Sequence, residues 1–361
     1  MPGPTADSDL AAWAARVDAH LDDFLTVRRG LLAEAGSETD ALADQAVSAV
    51  AGGKRLRAVF CLAGWQAAGG RTDDERAERA AAALELLQAS ALVHDDLMDG
   101  SDTRRGRPSA HRAFEQRHLD AGWVGPPERF GAGAAILLGD LLLTWAHELL
   151  RASGFDPATT DRAAPVFDAC TTEVTAGQYL DLVSQASGDD GEDLALRVVR
   201  FKSASYTVVR PLQLGAVLAG AGDPLVAELA AYGDPVGVAY QLRDDVLGVF
   251  GDPEQTGKPA GDDLREGKRT VLLARTFDRC DGAGRALLAR CVGNAGLDST
   301  DVRRLRDLMV STGALASVEQ TITELEQRAG VAMDAIARSA AAPATRTTLE
   351  TLTAAALQRS R

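Results

Sequence analysis

Two groups of aspartate, far apart in the chain, carry the spacing that points to chemistry. The first lies in Leu-Val-His-Asp-Asp-Leu-Met-Asp-Gly-Ser-Asp-Thr-Arg-Arg-Gly at 92–106. Helical residues four apart are offset by about 40°, so Asp95 and Asp99 share a face, with Asp96 beside them. Leu84, Leu87, Ala91 and Leu92 make the preceding turns apolar. Carboxylates clustered on such a helix repel one another, and burial worsens the repulsion. A hard divalent cation offsets it, and magnesium typically bridges one or two carboxylates to phosphate oxygens. A solvated acidic helix end is the plainer reading of the same residues. The second group, Tyr-Gln-Leu-Arg-Asp-Asp-Val-Leu-Gly-Val-Phe-Gly-Asp at 240–252, places Asp244 and Asp245 at the end of another apolar helix, before a glycine-rich loop. Two such ends in one helical chain are expected to face each other across one cavity.

Cations accompany the acids. Gly-Gly-Lys-Arg-Leu-Arg at 52–57 sets two glycines before three cations at a helix start, where free backbone N–H groups also favour anions. Arg104, Arg105, Lys258, Lys268 and Arg269 add to them. The chain as a whole is acidic, with 38 Lys and Arg against 52 Asp and Glu and a net charge of −14. That excludes a general nucleic-acid binder or a polybasic membrane binder, both of which need a positive field. Local cations beside acidic clusters fit a polyanion held through metal. Diphosphate suits this, since Arg forks bidentately and Lys adds a point charge.

The elements that must position these residues are helices. Ala and Leu dominate, and apolar residues recur at three and four over 81–97, 134–150, 194–218 and 302–336. No period-2 strand is evident. Breaks are expected at 69–74, 120–133, 153–158, 187–193, 251–261 and 281–284, where Gly, Pro, Asp and Ser gather. An apolar fraction of 46% over 361 residues supports a sizeable core. The expected architecture is all-α: a single helical domain over 9–361 around a central cavity, with residues 1–8 disordered. Cys61, Cys170, Cys280 and Cys291 form no CxxC pair, and His20, His94, His111, His118 and His147 form no metal-ligand pattern. No basic, apolar leader and no run of about 18 uncharged apolar residues is seen, so a cytoplasmic protein without membrane insertion is expected.

These motifs, in this order, resemble the trans-isoprenyl diphosphate synthases, the polyprenyl synthetase family. The resemblance runs from about Gly52 to Thr270. It rests on 52–57, Asp95-Asp-x-x-Asp99 with Arg104-Arg105-Gly106, Gly139-Asp140, Gly177-Gln178, Lys202-Ser-Ala-Ser-Tyr-Thr207, Gln241-x-x-Asp244-Asp245, and Gly257-Lys258 with Gly267-Lys268. The uninterrupted first motif and Gly-Lys-Pro-Ala-Gly-Asp-Asp-Leu at 257–264 look closest to bacterial geranylgeranyl diphosphate synthases. The resemblance implies a homodimer that condenses isopentenyl diphosphate with dimethylallyl, geranyl or farnesyl diphosphate, using about three magnesium ions. Asp95, Asp99 and Asp244 would hold the metal, with Asp96 and Asp245 assisting. Arg104, Lys202, Lys258 and Lys268 would contact the allylic diphosphate, with Ser203 and Gln241 lining that site and Gln241 near the developing cation. Lys54, Arg57 and Arg105 would bind isopentenyl diphosphate. For Asp140, Gln178 and Asp181, helix packing or a supporting role is an equal reading.

Three positions depart from the pattern. Gln88 stands where the family usually has His; it donates a hydrogen bond but carries no charge. Ala58 replaces a proline, and Gly248 replaces the last aspartate of the second motif. Chain length is read from the helix below Asp95. Ser90 and Ala91 are small and lie roughly 6–7.5 Å below the metal site, while Leu87 and Leu84 lie about 12 and 16 Å below it. That predicts a C20 product, geranylgeranyl diphosphate, with farnesyl or longer products as the alternative; close helix packing would also explain Ser90 and Ala91. A class I terpene cyclase would not need residues 52–57 or Arg105. A non-catalytic regulatory subunit would usually lose acidic residues that are present here.

Overall fold

Alanine-rich sequence with apolar residues every third or fourth position favours helix over any alternative. The computed structural model describes residues 6–188, 190–251, 261–294 and 296–357, and these are overwhelmingly helical. They fall into two compact units. The first extends through Val166 and takes in Pro211–Gly222; the second holds Phe167–Arg210 and the chain from Asp223 onward.

In the first unit, α1 (Ala6–Ala33), α2 (Asp40–Val50) and α3 (Leu56–Ala67) lead into α4 (Glu75–Met98). Helix α1 begins at Ala6 and so claims part of the terminus expected to be disordered. Residues 1–5 lie outside the described residues. Asp74 caps α4 by accepting from the Arg76 N–H at 3.0 Å, and Glu75 and Glu78 fill its first turn. The methyl groups of Ala77 and of Ala80, Ala81, Ala82 and Ala83 are buried, so neighbouring helices approach closely. The strongest of these contacts is with α6 (Pro127–Arg151), where the Ser90 hydroxyl donates to the Gly139 carbonyl at 2.7 Å.

A two-residue ladder, β1 (Thr103–Arg104) with β2 (Arg107–Pro108), follows α4. No strand is expected there from periodicity. The ladder exists because Arg105 and Gly106 both take positive φ, 52° and 72°, which makes the tight turn that suits a two-residue hairpin loop. Helix α5 (Ala110–Asp120) then precedes α6, which starts at Pro127 inside the segment expected to be loop. Proline at a first helical position loses no hydrogen bond there. Helix α7 (Pro157–Ser187) runs from the first unit into the second.

In the second unit, α8 (Glu192–Val198) passes into a π-helical stretch (Val199–Val209), followed by α9 (Arg210–Leu218), most of which belongs to the first unit. Residues 194–218 are therefore not the single α-helix expected. Then come α10 (Asp223–Phe250), α11 (Asp262–Glu266), α12 (Val271–Arg279), α13 (Gly282–Cys291), α14 (Ser299–Ser311), α15 (Ala314–Ser339) and α16 (Thr345–Leu357). The helix expected over 302–336 is broken at Thr312 and Gly313. Asp244 and Asp245 do not end their helix, since α10 continues to Phe250. Leu242, Val246, Leu264, Leu272, Leu305, Val318 and Ile322 form one buried cluster around α10. Arg243 forks onto Glu319 at 2.5 and 2.8 Å and ties α10 to α15.

Candidate active site

The first unit carries one acidic motif and two sets of cations. On α4, Gln88, Ala91, Asp95 and Asp99 recur at helical spacing, and all four are half-buried. Leu84, Leu87 and Ser90 are closed off. The partly open stripe thus leads from Asp99 at the helix end down to Ala91 and Gln88. Ser90 faces α6 and spends its hydroxyl on helix packing. Asp96 is 3% exposed and is turned toward Arg104, which donates to it through Nε at 2.8 Å and reaches Asp95 Oδ2 at 3.5 Å.

The hairpin sends its two arginines to different places. Arg104 pairs with the acidic end of α4. Arg105 Nη1 donates to the carbonyls of Ala51 and Gly52, at 2.6 and 2.9 Å, in the loop before α3. In that loop Lys54 is exposed and Arg55 is buried, and Arg57, in the first turn of α3, is half-buried. Desolvation against the loop, then the positive charges of Arg55, Arg104 and Arg57, push the Arg105 guanidinium below its ordinary range. A crowd of cations with that effect is a place where an anion binds favourably.

The second unit carries the other acidic motif. Gln241, Asp244 and Gly248 share the half-buried face of α10, while Asp245 is 7% exposed. Gln241 Nε2 donates to Asp245 Oδ1 at 2.7 Å, so its amide positions a carboxylate. Burial, with Asp263 and Asp244 nearby, pushes the Asp245 carboxyl up to about 8. Asp263, on α11, sits where a side chain at 248 would go: a Cβ there would overlap its Oδ2 and lie 2.7 Å from its Cγ. Lys268 Nζ is 3.4 Å from Asp263 and 2.7 Å from Glu266. Lys202 and the half-buried Ser203 lie in the π-helical stretch, and such irregular turns are frequent at functional sites. Lys202 is paired with Asp181 of α7 at 2.6 Å instead of standing alone in solvent. Gly177 makes this close approach possible, since a Cβ there would lie 2.6 Å from the Lys202 Cα. Lys258 lies outside the described residues.

Both acidic motifs offer only carboxylate oxygens, the donors magnesium prefers. Among the described residues no three His, Cys, Asp or Glu side chains are already gathered as a ligand set. Burial, and after it the charges of Asp263 and Asp244, raise Asp245, and a divalent cation would offset both, so the donor chemistry fits the ion. Reading the sequence did not single out Arg55, Glu85 or Asp263. The available signal for Glu85 is a lone acid in an apolar helical run, and for Asp263 it is the missing side chain at Gly248.

The fold and this distribution of acids and cations define an all-α enzyme of the isoprenoid synthase type. The polyprenyl synthetase pattern matches residues 39–309, and the chain belongs to that family, whose members make prenyl diphosphates. The crystal structure of geranylgeranyl pyrophosphate synthase from Corynebacterium glutamicum, complexed with isoprenyl diphosphate and magnesium, is similar at a TM-score of 0.89. It is 37% identical, and the match covers 99% of this chain and 100% of that one. The geranylgeranyl diphosphate synthase of Saccharolobus solfataricus is 33% identical over 261 residues, 72% of this chain and 73% of that protein. The (2E,6E)-farnesyl diphosphate synthase of Mycobacterium bovis is 34% identical over 244 residues, 68% of this chain and 62% of that protein.

Proposed function

We propose that this prenyltransferase makes geranylgeranyl diphosphate by adding isopentenyl diphosphate repeatedly to an allylic diphosphate. The observation that carries this reading is the hairpin. One arginine serves the acidic motif and the next serves a second cationic loop, an arrangement for two diphosphates. A terpene cyclase, with a single diphosphate substrate, has no use for the second.

In this reading Asp95, Asp99 and Asp244 hold magnesium, and Asp245 adds to the second motif. When bound, the ion neutralises charge on the leaving diphosphate. Asp96 keeps Arg104 in place. Arg104, Lys202, Lys258 and Lys268 bind the allylic diphosphate and stabilise its negative charge as the C–O bond breaks. Lys54, Arg57, Arg105 and Gln88 bind isopentenyl diphosphate, so that its C4 alkene carbon attacks the allylic cation. The proton then lost passes to the departing diphosphate, and no His or Glu base is required. Gln241 and Ser203 line the allylic site, where water must be excluded because it would quench the cation. The tail extends along the open stripe of α4 past Ala91 toward Leu87 and Leu84. We further propose that the enzyme is a cytoplasmic homodimer. The family match extends over both compact units, which supports reading them as one catalytic domain.

The test is incubation of the purified chain with magnesium, labelled isopentenyl diphosphate and each of dimethylallyl, geranyl and farnesyl diphosphate, followed by chromatography of the dephosphorylated products. A dominant C20 alcohol is expected. A dominant C15 or C30-plus alcohol overturns the length assignment. Diphosphate release from the allylic substrate without isopentenyl diphosphate points to a cyclase, and an inactive chain points to a regulatory subunit.

A further inference from the structure

Among the described residues only two besides glycine have positive φ, Arg55 at 51° and Arg105 at 52°. Backbone strain of this kind persists only where surrounding contacts fix it, and it clusters at functional sites. Here both strained residues bear on one loop. Arg105 holds it from the hairpin through the Ala51 and Gly52 carbonyls. Arg55 holds it from within.

Arg55 is the middle cation of three, its backbone is left-handed, and it alone of the three is buried. Its side chain is 7% exposed, while Lys54 is open to solvent. Its Nε donates to Asp18 of α1 at 2.6 Å, and its Nη1 donates to the Val50 carbonyl at the end of α2 at 2.8 Å. Nη1 also lies 3.5 Å from Glu85 Oε2 on α4. Glu85 is 3% exposed, and its other oxygen accepts the Ala58 N–H in the first turn of α3, at 3.2 Å. One guanidinium and one buried carboxylate therefore join four helices around residues 50–58. Glu85 stands on α4 three residues before Gln88.

We propose that Arg55, held by Glu85 and Asp18, is a positioning residue that sets the loop so that Lys54 and Arg57 present their charges to the diphosphate of isopentenyl diphosphate. This rests on the two-diphosphate reading given above. A lysine cannot replace the fork, because it offers a point charge in place of a planar set of donors. The Arg55–Glu85 pair has no contact with the Asp95 motif, so its loss weakens one substrate and spares the other.

The experiment compares Arg55→Lys and Asp18→Asn with the parent enzyme. Steady-state kinetics are run with each substrate varied in turn, and thermal melting is recorded for each protein. Arg55→Lys is expected to raise KM for isopentenyl diphosphate about tenfold or more, the loss typical of a charge-assisted hydrogen bond. The allylic KM, and kcat at saturation, should stay within about twofold. Asp18→Asn, which keeps an acceptor but removes the charge of the half-exposed arm, is expected to raise the same KM about threefold, and it decides the matter if Arg55→Lys does not fold. A folded variant with an unchanged KM for isopentenyl diphosphate overturns the proposal, as does an equal loss for both substrates. A parent enzyme that never consumes isopentenyl diphosphate overturns the underlying reading instead.

Discussion

At the residue scale, the acidic motifs separate by what surrounds each carboxylate. Asp245, with a folded-state value of about 8, retains a proton through a range in which the unfolded chain, near 3.8, has lost it. The folded state therefore binds more protons between about pH 4 and 8, and this group makes metal-free stability fall as pH rises through that window, then level off. Asp245→Asn should flatten the metal-free melting profile between pH 5 and 9 and raise the melting temperature at pH 8 by about 1–3 °C, what a gain of about 1–2 kcal/mol gives in a chain of this length. On the proposed reading, bound magnesium would displace that proton. Calorimetry in buffers of different ionisation enthalpy should show proton release on binding at pH 7, absent at pH 9 and absent in Asp245→Asn. Gly248 is the second case. Read from sequence it is a lost ligand, but the structure fills its place with Asp263. Gly248→Asp should therefore lower stability by about 1–3 kcal/mol in urea unfolding, as overpacking does, and weaken magnesium binding. A variant that binds magnesium more tightly than the parent would show that the glycine is a simple loss. Asp95, Asp99, Asp244 and the clustered cations stand out as candidates in the sequence because residue type and helical spacing mark them. Arg55 was not, because only a backbone angle separates it from Lys54 and Arg57.

At the scale of elements, helix content was legible and its irregularities were not. Alanine-rich amphipathic spacing looks the same whether a turn is α or π, so the stretch carrying Lys202 and Ser203 reads as ordinary helix. The hairpin has only two residues in each strand, too few for a period to register, and the separate roles of its two arginines came from the family resemblance. Burial along α4 sharpens the chain-length argument. Ser90 is 3% exposed and bonded to the Gly139 carbonyl, whereas Ala91 lies on the open stripe with Asp95. Ala91→Phe should shift the product from C20 to C15 or shorter in the radiolabelled assay, with the melting temperature close to that of the parent. Ser90→Phe should instead cost about 1–3 kcal/mol of stability by forcing α4 and α6 apart. An unchanged product profile in a folded Ala91→Phe enzyme would place the floor elsewhere.

At the scale of the whole molecule, the question is what an acidic chain does with its exposed apolar surface. Helix α6 is the one helix among the described residues long and apolar enough, by length and composition, to cross a membrane, at a mean hydropathy of 1.3. No such helix was expected from sequence, because Asp140 interrupts its apolar run. Ile136 and Leu137 on α6 are 48% and 64% exposed, and Trp123, Val124 and Phe130 add exposed apolar area just before it and in its first turn. Large apolar side chains exposed along one helix of a charged protein are candidates for a contact site. The homodimer proposed above needs a contact face, and this is the face we assign to it. In a two-fold dimer the same patch meets itself, so one substitution places a charge on both sides of the contact. Leu137→Lys would bring two like charges together in a desolvated interface, where truncating or mismatching a central contact costs about 2–4 kcal/mol. Light scattering after gel filtration should find the parent at twice the chain mass and Leu137→Lys at the mass of one chain at micromolar concentration. Because the substituted side chain faces outward, helical circular dichroism should be unchanged. A parent protein that runs as a monomer, or a variant that remains dimeric, would assign this face to another partner, and flotation with lipid vesicles would then distinguish a membrane from a protein.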